Sequence, residues 1–145
     1  IDRPKITPSF DRPRLLYVGS ASPHKNLDQM IRGFIKLKNR LPEAELSMTL
    51  SSRKEYSVPG VVFLGHLSVP ALFEQYQKAN LLIMPSLVET IGLPMVEALS
   101  MGTPVIAADR PYQSFRTDSI SSIYVYGRDE LKITLLELQT RKMGG

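Results

Sequence analysis

Cysteine is absent from the 145 residues. Neither a disulfide framework nor a thiolate metal site is therefore available, and redox chemistry leaves the compartment open. Histidine is scarce as well. With only His24 and His66 present, a multi-histidine metal site is excluded. Long apolar runs are also missing: stretches such as Ala79 to Pro85 fall well short of the roughly 20 residues that span a bilayer. No segment is expected to cross a membrane. The opening Ile1-Asp2-Arg3-Pro4-Lys5 lacks the basic-then-apolar order of a signal peptide and the chain does not start with Met, so it reads as cut from something longer. Low-complexity tracts and internal repeats are lacking too.

What remains is the composition of a soluble globular domain, 43% hydrophobic and 22% charged, enough for one ordinary core but hardly two. Lys and Arg number 18 against 14 Asp and Glu, a net charge of +4 that favours anionic partners without choosing among nucleic acid, phosphorylated metabolites and a membrane surface.

Residues 1–13 hold three prolines and few apolar residues, which suits a linker or extended entry segment. Order is expected from Arg14 onward. Short β-branched or apolar runs then alternate with helical periodicity, the pattern of βαβ units around a parallel sheet covered on both faces. Strands are predicted at 15–18, 46–50, 61–64, 81–84, 105–108 and 123–126. Helices are predicted at 27–41, 70–79, 94–101 and 128–141. The first helix is drawn from Met30, Ile31, Phe34, Ile35, Leu37 and Leu41 at three- and four-residue steps, and Pro42 stops it. Residues 51–60 read as a polar loop and 85–93 as another. The result is an α/β, Rossmann-like open parallel sheet of about six strands with helices on both faces, whose ligands bind at the carboxyl ends of the strands.

Two of those ends carry distinctive residues. After the first strand comes Gly19-Ser20-Ala21-Ser22-Pro23-His24-Lys25-Asn26, with Asn26 as a cap for the next helix. Lys25 thus sits beside a helix N-terminus, where a cation opposes the dipole unless an anion is shared between them. A phosphate contact is one reading and a solvated surface lysine the plainer one. After the fourth strand, Pro94 suits the first helical position and Gly92 permits close approach, leaving the N–H groups of Gly92, Leu93 and Met95 for a phosphate. Glu97 in the first helical turn and Glu89 in the preceding loop can then face one crevice. A carboxylate accepts well from a hydroxyl pair, so one Glu suits a ribose diol and the other a sugar ring. Taken singly, Glu97 reads more plainly as a dipole-stabilising residue and Glu89 as a solvated loop charge.

The spacing Glu89-x7-Glu97, within E-T-I-G-L-P-M-V-E-A-L-S-M-G-T-P-V-I, closely resembles the signature of glycosyltransferase family four. The resemblance runs from about Arg14 to Arg141. It also takes in Y-V-G-S-x-x-P-H-K-N, V-x-F-L-G-H-L and N-L-L-I-M-P-S, four segments in the right order. It implies the C-terminal, donor-binding half of a GT-B fold over 14–145, with the N-terminal acceptor domain missing. By resemblance, Lys25 contacts the donor diphosphate, Glu89 orients the donor sugar as the catalytic residue, and Glu97 binds the ribose hydroxyls. Gly19 and Ser20 belong to the same donor site, and Gly65, His66 and Leu67 frame the base. The Ile91-Gly92-Leu93 backbone approaches the phosphates, and Thr90 belongs to the same donor site. Many family members carry Arg where this chain has Ser20, which shifts phosphate binding toward Lys25 and the helix amides.

The activity implied is transfer of a hexose from a UDP- or GDP-sugar, with retention, to a glycan or lipid-linked acceptor. No metal or other cofactor is expected, and the chain is expected to be inactive alone. A cytoplasmic protein, peripheral at an acceptor-bearing membrane surface, is the implied setting. The alternative is a non-catalytic nucleotide-binding or interaction module of the same fold. Nucleic acid is not an expected partner: the pI of about 9.4 and Arg32, Lys36, Lys38 and Arg40 along one helix come without an RNA-binding motif.

Overall fold

The computed structural model describes residues 12–85, 93–108 and 123–126. Within them lie β1 (Arg14–Tyr17), β2 (Glu45–Met48), β3 (Val61–Phe63), β4 (Leu81–Met84), β5 (Val105–Ala108) and β6 (Ile123–Tyr126). All five neighbouring pairs run parallel, in the order β3-β2-β1-β4-β5-β6. This is the doubly wound order in which the chain steps outward from β1, then returns to lay β4 on its other side. The expected Rossmann-like sheet is the observed one. The expected linker, apart from Arg12 and Pro13, and the expected helix 128–141 lie outside the described residues.

Strand limits follow the ladders rather than the apolar runs. Arg14 pairs with Glu45 and Tyr17 with Met48, so β1 and β2 both begin one residue earlier than expected and end before Val18 and Thr49. β3 likewise stops at Phe63.

Each strand sends alternate side chains to opposite faces, and both faces are covered. Leu15, Tyr17, Leu46, Met48, Leu81, Ile83 and Ile106 pack with α1 (Leu27–Arg40). Leu16, Leu82, Met84 and Val105 pack on the other face with Tyr76 of α2 (Val69–Lys78) and with Met95 and Ala98 of α3 (Leu93–Ser100).

On α1 the buried set is Leu27, Met30, Ile31, Gly33, Phe34 and Leu37. Ile35, counted among the apolar positions in the sequence, is 43% exposed, because at roughly 100° per residue it turns away from the centre of that stripe. Lys38 falls on the buried side instead, where its ammonium donates to the carbonyls of Pro42 and Ala44. It is therefore not part of an outward basic face with the exposed Arg32, Lys36 and Arg40.

Asn26 does not cap α1 through its side chain. It holds a left-handed backbone (φ 61°, ψ 37°) and makes no side-chain cap bond. The turn out of the 3-10 segment Pro23–Lys25 needs that conformation, which Asn tolerates better than most residues. The cap that forms is Ser68, whose hydroxyl accepts from the Ala71 N–H at 3.3 Å and starts α2 one residue before the expected Pro70. The loop 51–60 is not wholly polar in its packing either. It contains a 3-10 turn at Lys54–Tyr56, and Tyr56 and Val58 lie against the α1-side core.

Candidate functional site

The point where the strand order reverses lies between β1 and β4, and ligands of open α/β sheets bind at the carboxyl edge there. On that edge, beyond β1 and β2, lies an open crevice of about 470 Å³, within the roughly 300–1,000 Å³ of ordinary small-molecule sites. Four expected residues, Gly19, Ser20, His66 and Leu67, line it together. Val18, Leu50 and Leu72 supply apolar wall, while Thr49 and Ser51 add hydroxyls. Lys25, Gly65, Leu93 and Glu97 are not among its lining residues.

Local packing fixes the first loop. The Tyr17 side chain, 2% exposed, runs up beneath it and donates its hydroxyl to the Ser20 carbonyl at 2.6 Å. A Cβ at Gly19 would stand 2.6 Å from that phenolic oxygen. Gly19 is therefore demanded by Tyr17 and by its own φ of 156°. The Gly19 N–H donates to the Thr49 hydroxyl at 3.1 Å, and the Thr49 N–H to the Tyr17 carbonyl at 3.1 Å. These bonds extend the β1–β2 pairing past the ladder and hold the crevice floor. Beyond them, Ser20 meets Ser22 hydroxyl to hydroxyl at 3.0 Å. Lys25 closes the 3-10 segment, its N–H donating to the Ser22 carbonyl at 2.9 Å, directly ahead of Asn26 and the start of α1.

The opposite rim is set by Gly65. Its N–H donates to the Leu50 carbonyl at 2.9 Å, and its φ of 69° turns the chain away from β3. A Cβ there would meet nothing within 4 Å, so the requirement is for the left-handed backbone and not for space. The turn carries exposed His66 and half-buried Leu67 to the crevice.

On the far side of β1, α3 begins at Leu93, one residue before the expected Pro94. Glu97 is consequently its fifth residue and stands beyond the first turn, where the helix dipole no longer governs it. Its partner is a side chain: the Tyr76 hydroxyl, on α2, donates to Glu97 Oε1 at 2.8 Å. Burial, and next the bond to Glu97, push the Tyr76 phenol well above its usual range, so it remains a proton donor to the carboxylate. Thr103, fully buried in the α3–β5 connection, donates its hydroxyl to the Tyr76 carbonyl at 2.6 Å. Its own N–H donates to the Ala98 carbonyl at 2.8 Å.

Glu89, Thr90, Ile91 and Gly92 lie outside the described residues, and with them the expected facing of two carboxylates across one crevice. Thr49, Ser51, Tyr76 and Thr103 were not anticipated as site residues. Their signals are tertiary: Thr49 matters because β2 adjoins β1, and Tyr76 because α2 and α3 share a face.

Comparison with known proteins agrees with this architecture. The family model described as "Glycosyl transferases group 1" matches residues 12–136. The chain is 33% identical over 108 residues to the O-antigen chain mannosyltransferase RfbU of Salmonella typhimurium, covering 66% of this chain and 30% of that protein. It is 30% identical over 104 residues to the sulfoquinovosyl transferase SQD2 of Arabidopsis thaliana, covering 68% of this chain and 20% of that one. The chain thus spans well under half the length of these relatives. Among solved structures, a mutant TarM from S. aureus in complex with fondaparinux, α-GlcNAc-glycerol and UDP superposes with a TM-score of 0.80 at 18% identity, over 97% of this chain and 30% of that one. Sucrose-phosphate synthase from Thermosynechococcus elongatus gives 0.72 at 22% identity, over 93% and 37%. With its family model matched over most of its length and a doubly wound sheet behind it, the chain belongs to the glycosyl transferases group 1 family.

Proposed function

We propose that this chain is the donor-binding domain of a retaining glycosyltransferase that takes a hexose from a UDP- or GDP-sugar and works with a second domain holding a glycan or lipid-linked acceptor. The observation that carries the reading is the crevice at the carboxyl edge, which gathers Gly19, Ser20, His66 and Leu67 from two separate loops. The UDP held by the TarM complex supports the choice of a nucleoside diphosphate.

In this reading the base lies against the Gly65–Leu67 turn, whose backbone offers polar groups over an apolar wall. Lys25 and the amides at the start of α3 receive the diphosphate, so that charge on the leaving group is stabilised by a cation and helix-terminal donors without a metal ion. Glu97 accepts from the ribose diol and Glu89 orients the sugar. Retention follows a front-face route, in which the donor phosphate helps take the acceptor proton. The second domain positions the acceptor, and holding two reactants in line supplies roughly 7–11 kcal/mol of the barrier. The chain alone is expected to transfer no sugar.

Calorimetry tests the donor reading. UDP or GDP is expected to bind more tightly than the corresponding nucleoside, and binding is expected to survive EDTA. Equal affinity for nucleoside and nucleoside diphosphate would sink it. For Glu97, the Ala variant is expected to lose about 1.5–3 kcal/mol of binding to the ribonucleoside diphosphate and little to its 2′,3′-dideoxy analogue. Equal losses would mean that the carboxylate does not meet the diol.

A further inference from the structure

A closed polar network lies against Glu97, the residue proposed for the ribose. Tyr76 is completely buried, yet it is tied to the α3–β5 segment at both ends: its hydroxyl to Glu97 Oε1 at 2.8 Å, and its carbonyl from Thr103 Oγ1 at 2.6 Å. The Thr103 N–H returns to the Ala98 carbonyl, next to Glu97. The ring Glu97–Tyr76–Thr103–Ala98 is closed. Phe73 packs edge-on against the Tyr76 ring, centroids 5.5 Å apart at 76°, which fixes the ring orientation as well.

A buried phenol needs an acceptor, and a neutral carbonyl would serve it. Here the acceptor is a half-buried carboxylate with acceptor capacity to spare. Oε1 is engaged by the phenol, while Oε2 has no hydrogen-bond partner among the described residues. A flexible glutamate on a helix ordinarily gives up rotamer freedom when it captures a ligand. This one has been fixed beforehand, with one oxygen spoken for.

We propose that Tyr76 is the positioning residue that presents the Glu97 carboxylate to the ribose diol of the donor nucleotide. The inference rests on the ribose role assigned to Glu97 above. Thr103 acts at one remove, holding the Tyr76 backbone against α3. Tyr76 itself touches no ligand. Its effect is to supply a carboxylate already ordered, so its loss is felt by ligands with a diol and not by ligands without one.

The experiment is calorimetry on the full chain with UDP and GDP, each against its 2′,3′-dideoxy analogue. The variants are Tyr76→Phe, Glu97→Ala and the double variant. Tyr76→Phe keeps the ring and its packing and removes only the hydroxyl. It is expected to weaken the diol-bearing nucleotide roughly three- to tenfold, the range for freeing one side chain, while leaving the dideoxy analogue within about twofold. In the Glu97→Ala background the same change is expected to add nothing, because the two residues act as one unit. If Glu97→Ala is diol-selective but Tyr76→Phe costs both ligands equally, or neither, Tyr76 only packs and the inference fails while the ribose reading stands. If Glu97→Ala is itself not diol-selective, the ribose reading falls and this inference with it. Should Tyr76→Phe melt below the assay temperature, Thr103→Val probes the same ring from its other anchor. A diol-selective loss of roughly two- to fivefold is expected there, and an equal loss for both ligands overturns the proposal.

Discussion

The two faces of the sheet are built differently. The α1 side is a continuous apolar core of aliphatic and aromatic side chains, with Phe34, Leu37, Leu46 and Met48 wholly inaccessible. The α2/α3 side has a smaller buried cluster and accepts polar atoms into it: the Tyr76 hydroxyl, the buried Thr103 and the half-buried Glu97. An apolar face contributes stability in proportion to buried area and specifies little else. A polar network is costly wherever one member lacks a partner, and in return it fixes particular side chains in particular orientations. The division of labour is therefore largely spatial: the α1 side admits the Tyr17 phenol at its crevice end, whereas under α2 and α3 a network of three side chains is oriented.

The largest expected effect tests the first half of that contrast. Phe34→Ala is expected to lower stability by about 3–5 kcal/mol through lost burial and the cavity left behind. Urea denaturation measures it, and the nucleotide affinity of the molecules that remain folded is expected to be unchanged. A loss under 1 kcal/mol would show that the α1 face is not where stability resides.

On the other face, Thr103→Val is expected to cost about 1–3 kcal/mol, because it strands the Tyr76 carbonyl. In a continuing helix that carbonyl would meet the N–H of Asn80, but Asn80 donates to the Arg14 carbonyl at 2.8 Å instead. Thr103→Ser, which keeps the hydroxyl, is expected to recover most of the loss. If Ser and Val behave alike, the hydroxyl is not what holds α2 to α3.

The Tyr76 phenol gives a pH signature. Its folded pKa is raised above the ordinary 10.0, first by burial and then by Glu97. A raised folded value means that stability is fully present below the unfolded pKa and declines above it, by at most about 1.4 kcal/mol per pH unit. Thermal melts above pH 10 are expected to fall faster for the wild type than for Tyr76→Phe. Parallel curves would show that the phenol ionises as freely in the folded state as in the unfolded one.

Gly19→Ala probes the place where the α1-side core reaches the crevice. The added methyl collides with the Tyr17 hydroxyl, and giving up its bond to Ser20 is expected to cost about 1 kcal/mol. Tyr17→Phe in the same chain removes the colliding oxygen and is expected to recover part of the Gly19 loss, the rest staying with the ring Cζ at 3.0 Å and the φ of 156°, which disfavours a side chain. Additive losses, measured by denaturation, would place the strain elsewhere. The smallest effect belongs to the surface. Glu74 and Lys78, an i,i+4 pair at 3.4 Å on the outside of α2, are expected to contribute no more than about 0.5 kcal/mol, and a larger loss in Lys78→Ala would contradict the view that α2 matters through its inner face.

Much of this was legible in the residue order. Alternating apolar runs identified all six strands to within a residue or two, since both faces of a parallel sheet must be apolar. The glycines at 19 and 65 announced turns. The resemblance carried by four ordered segments pointed to the glycosyltransferase family. Local patterns misled where an environment decides the outcome. Ile35 looked buried by spacing and is exposed, Lys38 looked solvated and is turned inward, and Asn26 supplies a backbone conformation in place of a side-chain cap.

The sequence by itself determined the elements and the fold class, because helical and strand periodicity and turn chemistry act over a few neighbouring residues. Only the tertiary structure decided what those residues do for one another. Thr49 meets Gly19 across 30 positions, Glu97 meets Tyr76 across 21, and Thr103 meets Tyr76 across 27. No local pattern encodes such meetings, because they exist only once β2 lies beside β1 and α2 and α3 share a face, and that arrangement is set by burying the whole chain's apolar surface together.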